Sequence, residues 1–166
     1  MPARMAKVDV VGARGRVDDP EIVIDALRSI GGGEGAALDA DMICGRDHLC
    51  SAAMHALRAF GRGDNVASTL AVETVLFASG ERQISKALEK VSLHPGDERV
   101  ALVFFDVDDV PAALRALGLT RDDEVLAPSR EKAERFGITE AELEAVPPSK
   151  YQELVLERVA FAGLPK

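Results

Sequence analysis

The sequence predicts an α/β protein of the α+β kind: one small mixed sheet of three or four strands covered by about seven helices, with residues 1–166 forming a single domain. Three observations lead there. Short β-branched runs alternate with longer stretches of helical periodicity. One run, RVALVFFDV, is apolar almost throughout, as expected of a strand inside its sheet. Hydrophobic residues make up 47% of the 166-residue chain, enough for a sizeable core.

KVDVVGA (7–13) reads as the first strand, ended by Gly12. DPEIVIDALRSIGGG reads as a helix, with Asp19 as N-cap, Pro20 in its first position and Gly31 as its stop. The glycines at 31, 32, 33 and 35 lack the Lys-Ser/Thr of a phosphate-binding loop and follow a helix, so a flexible connector is expected. ALDADMIC is the second strand, ended by Gly45. Asp47 is expected to cap a helix reaching about Phe60, with Leu49, Ala53, Ala56, Leu57 and Phe60 on its inner face. After the loop 61–65, Ser68 or Thr69 starts TLAVETVLFA, and Gly80 closes it. ERQISKALEKV is the next helix, with Ile84, Ala87, Leu88 and Val91 inward. A turn at 94–98 leads to the long apolar strand, followed by a short helix ended by Gly118. EVLA (124–127) reads as a short edge strand. Two short helices follow Ser129, then a Pro147-Pro148 break and a last helix from about Ser149 to Ala162.

No apolar run approaches the roughly 18 residues of a membrane span, and MPARMAKVDVVG lacks the apolar stretch of a secretory signal. Cys44 and Cys50 are too few for a disulfide framework and wrongly spaced for a zinc pair, so both are expected as buried free thiols. A cytoplasmic protein is the expectation. The net charge of −8 argues against a general nucleic-acid coat. The charge is uneven, however. Residues 46–90 carry six cations against five carboxylates, a net of +1, which leaves −9 for the remainder. An anionic partner would be held on this middle segment, with another subunit supplying most of the long-range attraction.

The run Asp106 to Asp109 follows the long strand, where carboxylates can hold Mg²⁺, but capping of the next helix accounts for Asp108 or Asp109. His48 and His55 lie seven apart on one helix, too far for a shared metal, and a surface or partly buried role is expected for them. No local pairing suggests a catalytic triad or dyad. The sequence thus gives no case for an enzyme, a metal, a cofactor, or a small-molecule substrate.

FASGERQISKAL, at the corner between two helices, is more informative. Gly80 permits a tight turn, and a restarting helix exposes N–H groups and a positive dipole end that favour phosphate. Arg82 adds a charged fork with a planar face, and Gln83 can pair with a base edge. An ordinary helical hairpin with a solvated arginine and a DNA-reading helix-turn-helix also fit these residues.

ASGERQISKALEKV resembles the ASG-x-RQI-x-x-A block of the small KEOPS subunit, the family called TPRKB in animals. DADMICGRDHLCSAAMHAL is similar to that family's strand-to-helix segment with its helical His, DDEVL to the segment after its third strand, and VLERVAF to its final helix. The four blocks occur in the family's order, and the intact Arg-Gln-Ile resembles archaeal members. The resemblance implies a non-catalytic subunit of the complex that makes threonylcarbamoyl-adenosine in tRNA. Such a subunit binds the small kinase/ATPase subunit and, in archaea, the single-stranded CCA 3′ end of tRNA. It implies an RNA site at Gly80, Arg82, Gln83 and Lys86. The last helix carries Leu154, Val155, Leu156, Val159, Ala160 and Phe161, more apolar surface than one buried stripe requires, and is the expected kinase-binding face. A helix-turn-helix regulator and an adaptor that touches the kinase but no RNA are the alternatives.

Overall fold

The computed structural model describes residues 6–162. Four strands, β1 (Val8–Val17), β2 (Glu34–Asp39), β3 (Asp97–Phe105) and β4 (Thr120–Arg121), form one open sheet in the order β2-β3-β1-β4. The helices are α1 (Pro20–Leu27), α2 (Arg46–Arg62), α3 (Leu70–Ser79), α4 (Ile84–Val91), α5 (Val110–Ala116), α6 (Arg130–Phe136), α7 (Glu140–Glu144) and α8 (Tyr151–Ala162). The expected class of strands with covering helices is what forms. The sheet itself is not mixed, because every pairing of its strands is antiparallel.

β3 is interior, as its sequence predicts, and is sandwiched. Alternate residues Val100, Leu102 and Phe104 join one core with Val23 and Leu27 of α1 and Leu114 of α5. Ala101, Val103 and Phe105 join the other, with α2, α3, α4, α6, α7 and α8. Burial on both faces explains the unbroken apolar run without any parallel pairing.

Several boundaries differ from the expectation, each for a physical reason. β1 runs on through Val17 past a register shift between Arg14 and Val17. The second strand is Glu34–Asp39, and residues 40–42 are a 3-10 turn in which the Asp41 N–H donates to the Asp39 carboxylate. The glycine run is therefore partly sheet. A Cβ on Gly33 would lie 2.0 Å from the Phe105 carbonyl oxygen, so close backbone packing demands glycine there. Asp47 is not the cap of α2; Gly45 holds that position, and Gln152 of α8 accepts the Asp47 N–H at 3.2 Å. Residues 123–126 form a 3-10 turn, while Thr120–Arg121 makes the edge strand. Asp109 caps α5 by accepting the Ala112 N–H at 3.0 Å. Leu88 is exposed rather than inward, while Ala87 and Val91 are buried.

α3 is buried from Glu73 to Ser79, which is why its sequence is apolar all round. Glu73 is its one charged residue in that stretch. Its carboxylate accepts the N–H groups of Val66 and Ala67 and ties the preceding loop to the helix. Among the described residues no helix is long and apolar enough to cross a membrane. Cys44 is buried, Cys50 half-buried, and both are free.

Candidate functional site at the helical corner

Thr69 caps α3 by accepting the Val72 N–H, and Gly80 ends it in the left-handed conformation, φ 74°. Only glycine takes this backbone without strain, and a Cβ there would also stand 3.0 Å from the Phe136 ring. Ser79 fastens the turn: its hydroxyl donates to the Leu76 carbonyl and accepts the Glu81 N–H. The next helix starts later than its sequence suggests. Arg82 and Gln83 precede α4 rather than lying inside its first turn; Gln83 is the N-cap residue and makes no capping bond through its side chain. The start of α4 is thus left without a side-chain cap. Ile84 is half-buried and packs on the core, which anchors the segment carrying Arg82 and Gln83.

Beside the corner is a hollow of about 250 Å³ lined by Ser79, Gly80, Arg82, Lys90, Phe136, Gly137, Arg158, Phe161 and Ala162. Three cations meet in it. Lys90 is the most enclosed: its ammonium donates to the Ser79 carbonyl at 2.8 Å, lies 4.2 Å from the centre of the Phe136 ring and stands 3.9 Å from the Glu81 carboxylate. Burial lowers its pKa, and Glu81 opposes that shift. Arg158 is half-buried and paired with Glu142, a carboxylate that also completes the capping box of α7. Arg82 is exposed, and its guanidinium donates a long 3.4 Å bond to the Phe161 carbonyl. Phe161 is 59% exposed, an uncovered ring at the rim.

His48 supports the corner from beneath and is fully buried, more so than the surface or partly buried role expected of it. Its Nδ1 accepts the Cys44 N–H at 2.9 Å, so the proton sits on Nε2 and is donated to the Ala78 carbonyl at 2.7 Å. Phe136 meets its ring edge-on at 5.2 Å. Burial pushes the His48 pKa down to about 4. His55 is half-buried and stacks on Phe77 at 5.2 Å.

Of the residues assigned to an RNA site, Gly80 and Arg82 line the hollow, while the exposed Gln83 and Lys86 lie outside its lining. Of those assigned to a partner face, Val155 and Val159 are wholly buried in this chain's own core. Leu154 and Leu156 are half-buried, and Ala160 and Phe161 are exposed. The sequence reading missed Lys90, Phe136 and Arg158 as site residues. Lys90 carried a signal, since Lys86 and Lys90 are four apart on a basic helix. Phe136 and Arg158 arrive from α6 and α8 and carry none.

Fold and site together define a class: a small α+β protein with a cationic, aromatic-rimmed hollow at a helical corner, suited to an anionic ligand. The chain belongs to the family described as kinase binding protein CGI-121, whose model matches residues 29–127, more than half of the chain. The matched segment contains α2, α3, α4 and the corner, and stops before α6 and α8. No curated protein matches the chain significantly.

Proposed function

We propose that this chain is a non-catalytic, archaeal-type, cytoplasmic subunit of the KEOPS complex, which makes threonylcarbamoyl-adenosine in tRNA. In this reading it docks the small kinase/ATPase subunit and holds the single-stranded CCA 3′ end of tRNA. Membership of a family described as kinase binding supports the first contact. The observation that carries the second is the convergence of Arg82, Lys90 and Arg158 on one hollow rimmed by Phe161. Phosphates of a single strand meet the cations, and a base stacks on the Phe161 ring or the Arg82 plane. Each stacked base is worth about 1–3 kcal/mol. The start of α4 adds N–H groups and the positive dipole end. Nothing at the corner favours the DNA-reading alternative, because the exposed face of α4 offers one cation, Lys86, beside the carboxylate of Glu89.

Arg82→Ala tests the site. It is expected to weaken tRNA binding by about 1–3 kcal/mol and to flatten the salt dependence by roughly 0.7 in slope. Gln83→Ala is expected to weaken binding without changing the slope, since an amide releases no counterion. Kinase binding should survive both. Equal affinity of wild type and Arg82→Ala at low salt would reduce the corner to a helical hairpin. The purified chain alone is expected to show neither ATP hydrolysis nor threonylcarbamoyl transfer.

A further inference from the structure

Outside the corner hollow, three side chains with metal-ligating atoms converge. Asp39 ends β2, Asp97 begins β3, and His94 precedes Asp97 by one turn. One ligand atom from each lies within 4.8 Å of the other two. The turn is well fixed. The Asp97 N–H donates to the His94 carbonyl at 3.0 Å, the His94 N–H donates to Asp97 Oδ2 at 2.8 Å, and the Gly96 N–H donates to Val17 of β1 at 2.7 Å. His94 Nδ1 stands 3.8 Å from the Asp97 carboxylate. Asp39 Oδ1 is occupied by the Asp41 N–H.

Charge gives a second, independent reason to expect a cation. The two carboxylates border a hollow of about 300 Å³ that also contains Arg14 and Arg99. Both arginines are engaged elsewhere: Arg14 pairs with Asp122, and Arg99 with Asp41 at 2.9 Å. Among the described residues neither Asp39 nor Asp97 forms an ion pair with a lysine or arginine, although their neighbour Asp41 has two, Arg99 and Arg135. Among the described residues the His94 imidazole is thus the one basic group within ion-pair distance of Asp97, and Arg99 and Lys132 act on Asp39 only at longer range.

We propose that Asp39, His94 and Asp97 bind one divalent transition-metal cation of the zinc class. One imidazole nitrogen and two carboxylate oxygens suit Zn²⁺, whereas Mg²⁺ and Ca²⁺ prefer oxygen alone. Zinc bonds of about 2.0–2.2 Å need ligand atoms nearer one another than the observed limit, which small side-chain rotations supply. The ion would tie the end of β2 to the start of β3. None of its ligands lines the corner hollow, so this site stands apart from the proposed RNA contact.

The test is calorimetric titration of EDTA-treated full chain with ZnCl₂ and, in parallel, with MgCl₂. A Cys50→Ser background removes the more accessible thiol. One zinc per chain and no response to magnesium are expected. At a hundredfold excess over Kd, zinc should raise Tm by about 5–10 °C. His94→Ala and Asp39→Asn should each weaken zinc binding at least about tenfold. Because His94 is exposed, His94→Ala should keep the Tm of the metal-free protein. Absence of saturable zinc binding, or undiminished binding in either variant, would overturn the proposal.

Discussion

His48 shows how much one buried side chain decides at the corner. It is held neutral, bridging the Cys44 N–H just before α2 and the Ala78 carbonyl of α3. Its folded pKa of about 4 lies below the 6.5 of an unperturbed imidazole. The unfolded chain therefore binds a proton that the folded one refuses, and stability is full above pH 6.5 and falls as pH drops from 6.5 towards 4. The loss is about 3 kcal/mol. Urea unfolding across that range should show it, and His48→Gln should flatten the curve there. If the wild-type curve is already flat, the histidine is not held neutral. Gly80→Ala should cost about 1–2 kcal/mol, from the left-handed backbone and the approach to Phe136. A variant as stable as the parent would mean that the turn can re-form in another conformation.

At the level of elements, α8 divides into a core face and a free end. Val159→Asp should unfold the protein, since Val159 is wholly buried, whereas Ala160→Asp should leave Tm nearly unchanged. If α8 carries the kinase face, Ala160→Asp should abolish co-purification with the kinase subunit; retained co-purification would move that face elsewhere. Phe161 lines the hollow as well as belonging to that face, so its loss should disturb both contacts. Removing the Glu73 carboxylate as Glu73→Ala should cost about 3 kcal/mol, because the Val66 and Ala67 N–H groups lose their acceptor. Most elements were legible because their signals are local: Asp19, Thr69, Asp109 and Ser129 all cap the helices that follow them. What was not legible depends on distant partners. Gly33 must be glycine because the Phe105 carbonyl lies against it, and α2 is met at its start by Gln152 of α8. The burial of His48 depends on Phe136 and Ala78 covering it. The site was half legible for the same reason: Gly80 and Arg82 announce a corner, but Lys90 becomes part of it only when Phe136 and Arg158 close the other side.

Across the whole molecule the net charge of −8 opposes an RNA partner, and only local arrangement reverses it. Three cations around one hollow limit the phosphates that can be neutralised. The salt dependence of the isolated chain should then have a slope no steeper than about −2, at roughly −0.7 per phosphate of a single strand. A much steeper slope would indicate phosphate contacts beyond this hollow. Binding in this account is confined to the end of the strand, with the body of the tRNA left to other subunits. The most direct measurement compares the affinity of the wild-type chain for intact tRNA with that for the same tRNA lacking its CCA end, at one low salt concentration. The account predicts a loss of at least about tenfold on truncation, the equivalent of one stacked or charge-paired nucleotide. Equal affinity for the two tRNAs would contradict it.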